Sequence, residues 1–190
     1  MPRPPRVDFP GAWHHVMNRG SDHRDVFQHD ADRDVFIDSL VAAIERANLE
    51  VHAYCLMMNH FHLLIRSQQG HIASGMQFLL GRFTRLVNLR VKRDGPLFRG
   101  RYASVPVGAD HQILQVCRYI HLNPVKARLT SKPEAWRWSS AAAYAGVTTV
   151  PRWLRTDAVF DFSMPATASP VIETSWPQAL IGAPPIFMPS

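Results

Sequence analysis

At 190 residues the chain has room for one globular domain and a tail. Hydrophobic residues make up 46% of it and charged residues 19%, enough for a core, yet no apolar run approaches the roughly 18 residues that cross a bilayer. The two cysteines, Cys55 and Cys117, have neither metal-knuckle nor disulfide-framework spacing and read as buried thiols of a reducing cytoplasm. The stretch from Met1 to Arg6 lacks the apolar segment of an export signal. A soluble, cytoplasmic protein with no membrane partner is expected.

The net charge of +6 is concentrated in one part of the chain. Residues 1–70 carry seven Lys/Arg against nine Asp/Glu, residues 71–128 ten against two, and residues 129–190 four of each. A basic segment interleaved with Phe83, Phe98 and Tyr102 suits a surface that tracks phosphates. A solvated basic face would carry the same charge, so charge alone says polyanion and no more.

In chain order, residues 13–19 read as a first strand, broken at Gly20, Ser21 and Asp22. Val35, Phe36, Leu40, Val41, Ile44 and Ala47 then recur at helical spacing after an acidic start at Asp30 and Asp32, with Asn48 as the stop. Residues 51–57 and 61–66 are β-rich runs joined around Met58 and Asn59. A second helix spans residues 72–93: Ile72, Met76, Leu79, Leu80, Phe83, Leu86 and Val87 form its apolar stripe, and Asp94, Gly95 and Pro96 end it. Residues 97–107 form a fourth strand, and residues 109–122 a third helix that stops at Asn123 and Pro124, because a residue before proline is pushed out of the helical region. Residues 136–144 hold a short helix. Residues 1–148 then make the domain and residues 149–190 a proline-rich tail. The order β-α-β-β-α-β predicts an α+β fold, a ferredoxin-like or RRM-like split βαβ antiparallel sheet with helices on one face and an added helix.

Two groups of residues carry chemistry. His60 and His62, separated by Phe61, share one face of a strand because its side chains alternate, and together they could offer two imidazole nitrogens to a divalent ion. Phe61 points into the core. An isolated His-x-His is more often a half-buried pair on a sheet, but here the flanks are strongly apolar and polar residues need a reason. His14 and His15 face opposite ways and cannot chelate together. His23, His29, His71 and His111 read as solvated, His52 faces an undetermined side, and His121 is at best a substrate contact. In the second group, Tyr119 and Asn123 lie one helical turn apart on one face. Asn123 could give a carbonyl oxygen as a third ligand, while Tyr119 presents a hydroxyl that needs a nearby cation to act as nucleophile. A lone tyrosine is ordinarily a core or capping residue.

Taken together, these groups resemble the HUH single-tyrosine transposases, and more closely their REP-associated tyrosine transposase relatives. The resemblance covers roughly residues 11–145. It rests on the block from Trp13 to Gly20, the block from Met58 to Ile65, and the block from Arg118 to Ala127 followed by Trp138, Ser139 and Ser140. Relatives usually have proline where Met58 stands. The resemblance implies Mg²⁺ or Mn²⁺ on His60 and His62, with Asn123 where relatives place a polar third ligand, a Gln in some. It also implies Tyr119 as the nucleophile in cleavage and strand transfer of single-stranded or hairpin DNA through a 5′-phosphotyrosine, on hairpin-forming repetitive palindromes, in a nucleoid-associated protein. Arg82, Arg85, Arg99, Arg101 and Arg118 are candidates for backbone contact, and Phe98 and Tyr102 for stacking on unpaired bases. Tyr102 is the fallback nucleophile. Two other readings remain: a catalytically silent module for structured nucleic acid, since a basic and aromatic four-stranded sheet also serves RNA recognition, and a zinc hydrolase, which lacks a convincing further ligand. Monomer and homodimer are both open.

Overall fold

Strand segments with two apolar faces need cover on both sides, and the chain supplies it with helices above and below one sheet. A computed structural model describes residues 7–108 and 110–163. Four strands, β1 (Ala12–Arg19), β2 (Leu49–Leu56), β3 (His60–Ser67) and β4 (Ala103–Val107), hydrogen-bond in the order β2-β3-β1-β4. Every pairing is antiparallel. The helix α1 (Asp30–Ala47) connects β1 to β2, and α2 (Ile72–Arg90) connects β3 to β4. This is the split βαβ arrangement expected from the element order.

Local signals explain both ends of α1. The carboxylate of Asp32 accepts the backbone N–H of His29 at 2.8 Å, closing the N-terminus. Asn48 stops the helix in a left-handed conformation, φ 49°. Phe36 and Leu40 of α1 and Met76, Leu79 and Phe83 of α2 meet Val16, Phe61, Leu63 and Ile65 of the sheet in one core. At its centre the rings of Phe36 and Phe61 lie 4.9 Å apart.

The opposite face is covered by α3 (Asp110–Lys126), whose Ile113, Val116, Cys117 and Ile120 pack with Ala53, Cys55, Leu64 and Val107. Both cysteines are buried free thiols. Beyond α3, residues 136–140 run along the open edge of β2. Leu56 donates its N–H to the Trp138 carbonyl at 2.8 Å, and Ser140 donates its own to the Tyr54 carbonyl at 3.0 Å. A strand edge that would otherwise attract another chain is thereby closed. The short helices α4 (Ala141–Tyr144) and α5 (Asp157–Ser163) complete this layer.

Several boundaries differ from the sequence reading. Helix α2 ends at Arg90 and not at residue 93, and of the helix expected over 136–144 only Ala141–Tyr144 is helical, because residues 136–140 are drawn out along the edge of β2. Strand β4 begins at Ala103 and not at residue 97: in the segment before it Phe98 makes only an isolated bridge to Gly20, and continuous pairing with β1 starts at Ala103. Helix α3 does not stop before Pro124 but continues through it to Lys126. Pro124 removes the N–H that the Ile120 carbonyl would have received. The Asn123 side-chain amide replaces it, donating to the carbonyls of Tyr119 at 2.8 Å and Ile120 at 3.5 Å. Finally, part of the proposed tail belongs to the packed structure: Leu154 and Val159 are buried, and Arg155 donates its N–H to the Val51 carbonyl at 2.9 Å. The remainder of that tail, residues 164–190, lies outside the described residues.

Two buried histidines, His52 of β2 and His121 of α3, give this fold an acid limit. Burial pushes His52 down to about 4 and His121 down to about 3. In the unfolded chain both take up a proton near the ordinary value of about 6.5. Below that pH the unfolded state binds more protons, so stability is level above about pH 6.5 and is lost as pH falls toward the folded values. The urea midpoint is expected to drop steadily between about pH 6.5 and pH 4.5. A midpoint that stays level across that interval would contradict neutral burial of these rings.

Candidate active site

Register decides which side chains reach the α3 face of the sheet. In the pairing of β1 with β3, His15 stands opposite Leu64, Met17 opposite His62 and Arg19 opposite His60. Paired residues share a face, so His15, Arg19, His60 and His62 all look toward α3, while Phe61 points into the core under α1 and α2. The rings of His60 and His62 have centroids 5.1 Å apart. Both rings use Nδ1 for a neighbour: His60 Nδ1 lies 2.7 Å from Asn59 Oδ1, and His62 Nδ1 lies 3.0 Å from His15 Nε2. That leaves Nε2 of each as the nitrogen available to a ligand.

Helix α3 sets Tyr119 against this group. Its ring meets His62 edge-on at 5.5 Å and His15 edge-on at 5.8 Å. Two turns further along, Lys126 places its ammonium 4.7 Å from the centre of the Tyr119 ring. Burial raises the Tyr119 phenol above its ordinary range, so a cation near it is needed to favour the phenolate. Asn123 is part-buried and gives its amide N–H groups to the helix backbone. Its Oδ1 is the atom left for a ligand.

The imidazoles are set up as neutral donors. Burial holds His15 at about 4. Burial, with the charge of Arg19 adding to it, brings His60 to about 4 as well. His62 is pushed well below the ordinary imidazole range by burial first, and then by His15, His60 and Arg19. A ligand at this site need not displace protons near neutral pH. The donor set therefore fits a divalent ion taking two nitrogens and completing its shell with water or phosphate oxygen. A closed protein cage is not present: among the described residues no group of three His, Cys, Asp or Glu side chains is placed to hold a metal ion.

This geometry can be set beside known proteins. A family model described as "Transposase IS200 like" matches residues 9–123, a span that holds His15, His60, His62 and Tyr119. The chain belongs to the IS200-like transposase family. Among solved structures, a REP-associated tyrosine transposase bound to a REP hairpin is similar at TM-score 0.67 and 14% identity, with 91% of this chain and 100% of that chain covered. That likeness establishes the fold of this IS200-like transposase. A Deinococcus radiodurans protein described as a transposase candidate matches at TM-score 0.44 and 20% identity, over 62% of this chain and 95% of that one. No curated protein matches.

The remaining predicted residues divide by location. Arg99 and Arg101 are exposed on the segment entering β4, which lies beside β1: Arg99 donates its N–H to the Arg19 carbonyl at 2.9 Å. They flank the His60 end of the site. Arg118 precedes the tyrosine and is half-buried. Arg82 and Arg85 are exposed on α2, which packs on the opposite face, and Arg85 lines a surface pocket with Lys92 and Arg93. Phe98 and Tyr102 require correction. Both are core residues with only 6% of their surface exposed, and Phe98 packs edge-on against Phe61, so neither is available to stack on bases. The same burial removes Tyr102 as a fallback nucleophile. His121 is also corrected: it is fully buried, with Nε2 at 2.7 Å from the Ser140 hydroxyl, and is no substrate contact.

Sequence reasoning missed His15, Arg19 and Lys126 in this IS200-like transposase. In sequence His15 has only His14 beside it, facing the other way; its partner His62 lies on the neighbouring strand. Lys126 lies seven residues after Tyr119, a helical spacing that becomes visible once α3 is seen to run through Pro124. Because Asn123 supports that passage, Asn123→Ala should destabilise the protein by about 1 kcal/mol in urea unfolding without DNA or added metal. An unchanged midpoint would leave Asn123 with no structural part.

Proposed function

We propose that this IS200-like transposase cuts single-stranded DNA and transfers the strand through a 5′-phosphotyrosine at Tyr119, acting on hairpin-forming repetitive palindromes. Family membership makes it a DNA-processing enzyme of the transposase class. The observation that carries the finer reading is the contact between the His62 ring of β3 and the Tyr119 ring of α3, 5.5 Å apart, in a buried corner flanked by basic residues. The relative of similar fold was solved with a REP hairpin bound, which supports the hairpin as substrate class.

His60 and His62 would hold Mg²⁺ or Mn²⁺ through Nε2, with Asn123 Oδ1 as the candidate third donor, and the ion would polarise the scissile phosphate and offset charge on its oxygens. The chain's own groups do the rest. Tyr119 Oη attacks phosphorus and loses its proton. The P–O3′ bond breaks, and the departing oxygen takes up a proton as a free 3′-hydroxyl. The bond energy is kept in the tyrosine ester, so the 3′-hydroxyl of a second strand can reverse the step and join. Lys126 and Arg19 supply positive charge on either side of the tyrosine and the histidine pair. Arg99, Arg101 and Arg118 are suited to hold the backbone.

An RNA-recognition type of sheet surface finds no support, since both faces carry helices and Phe98 and Tyr102 are buried. The experiment is a cleavage assay in Mn²⁺ on palindromes flanking the gene. Wild type should give a covalent protein–DNA adduct and a free 3′-hydroxyl. Tyr119→Phe should bind the hairpin within about threefold of wild type, a change of under 1 kcal/mol, and form no adduct. His60→Ala and His62→Ala should each lower cleavage by at least about 100-fold. Adduct formation by Tyr119→Phe would overturn the assignment.

A further inference from the structure

We propose that His15 is a positioning residue: it accepts the Nδ1–H of His62 and so sets that ring, in tautomer and orientation, for a divalent cation on Nε2. The inference rests on the reading of His60 and His62 as a metal pair, and it assigns a role to a residue outside that pair.

The argument starts from burial. His15 is completely enclosed between the sheet and α3, and its Nε2 lies 3.0 Å from Nδ1 of His62. Two nitrogens at that distance share one hydrogen, which leaves two arrangements. In one, His62 Nδ1–H donates to His15 Nε2, and Nε2 of His62 keeps its lone pair. In the other, His15 Nε2–H donates to His62 Nδ1, and Nε2 of His62 carries a hydrogen and cannot bind a cation. Only the first makes His62 a ligand. It requires a neutral acceptor at the place His15 occupies, since a donor-only or apolar side chain there would leave the His62 N–H buried without a partner.

His15 is also an awkward residue for packing alone. Its Nδ1 is buried with no hydrogen-bond partner. The opposed residue in the same row of the sheet is Leu64, fully buried, so an apolar side chain suits this depth and would strand no polar atom. What His15 adds over such a side chain is the acceptor, together with a ring edge against Tyr119 at 5.8 Å. His60 has the equivalent support from Asn59 Oδ1 at 2.7 Å. Each histidine of the pair thus has one neighbour able to take its Nδ1–H.

The test measures Mn²⁺ binding to DNA-free protein by paramagnetic resonance for wild type, His15→Leu and His15→Gln, with circular dichroism and thermal melting read separately. His15→Leu is expected to stay folded and bind Mn²⁺ about 10- to 100-fold more weakly. His15→Gln, whose side-chain oxygen can accept the same hydrogen, should recover most of that loss. Long-range ¹H–¹⁵N spectra of wild type with Mg²⁺ should show His62 protonated at Nδ1. Equal Mn²⁺ affinity in wild type and His15→Leu, or no recovery in His15→Gln, would overturn the role of His15 and leave the metal pair standing, whereas His62 protonated at Nε2 with Mg²⁺ present would overturn both. Should His15→Leu fail to fold, the Gln variant and the wild-type spectra decide the matter. If wild type binds no Mn²⁺, the metal pair itself is overturned and this role with it.

Discussion

The antiparallel register of β1 against β3 is the constraint on which the candidate site depends. It brings His15, Arg19, His60 and His62 to one face and sends Val16, Phe61, Leu63 and Ile65 to the other. Strand alternation makes the register self-enforcing. A slip of β3 by one residue would turn His60 and His62 into the α1 and α2 core and drive Phe61, Leu63 and Ile65 out of it. The aromatic core around Phe36, Phe61 and Phe83 therefore serves the chemistry indirectly, by making the wrong register costly.

The second constraint is the passage of α3 through Pro124. A helix that ended at Leu122 would present Tyr119 from its last turn, where helices fray, and would not carry Lys126 beneath it. Asn123 mends the break that proline makes, and His121 with Ser140 fastens the same turn to β2. Tyr119 is thus held within a continuous helix, tied to the sheet on which His60 and His62 are carried. An attacking oxygen has to be placed closely relative to the group that neutralises the phosphate, and two tied elements do this better than a loop.

Much of this could be read from sequence because it is local. The apolar stripes of α1 and α2, the stop at Asn48 and the shared face of His60 and His62 all follow from spacing over a few residues. What could not be read is non-local. The role of His15 requires knowing that β1 lies beside β3, and the burial of Phe98 and Tyr102 requires knowing that the segment before β4 folds down onto Phe61 and Phe83. The passage of α3 through Pro124 is hidden from the sequence for a different reason. The backbone rule for residues before proline is sound on average, and here a side-chain amide compensates one of the two costs that the rule reflects.

The central claim is that Tyr119 and the histidine pair form one DNA-cleaving site. Peptide mapping by mass spectrometry of wild-type protein, after incubation with a hairpin oligonucleotide and Mn²⁺, tests it most directly. The account predicts a nucleotide joined to the peptide that begins at Tyr119 and ends at Lys126, with the mass of a phosphodiester on tyrosine. A nucleotide attached to any other peptide, or hairpin cleavage with no covalent peptide at all, would contradict it.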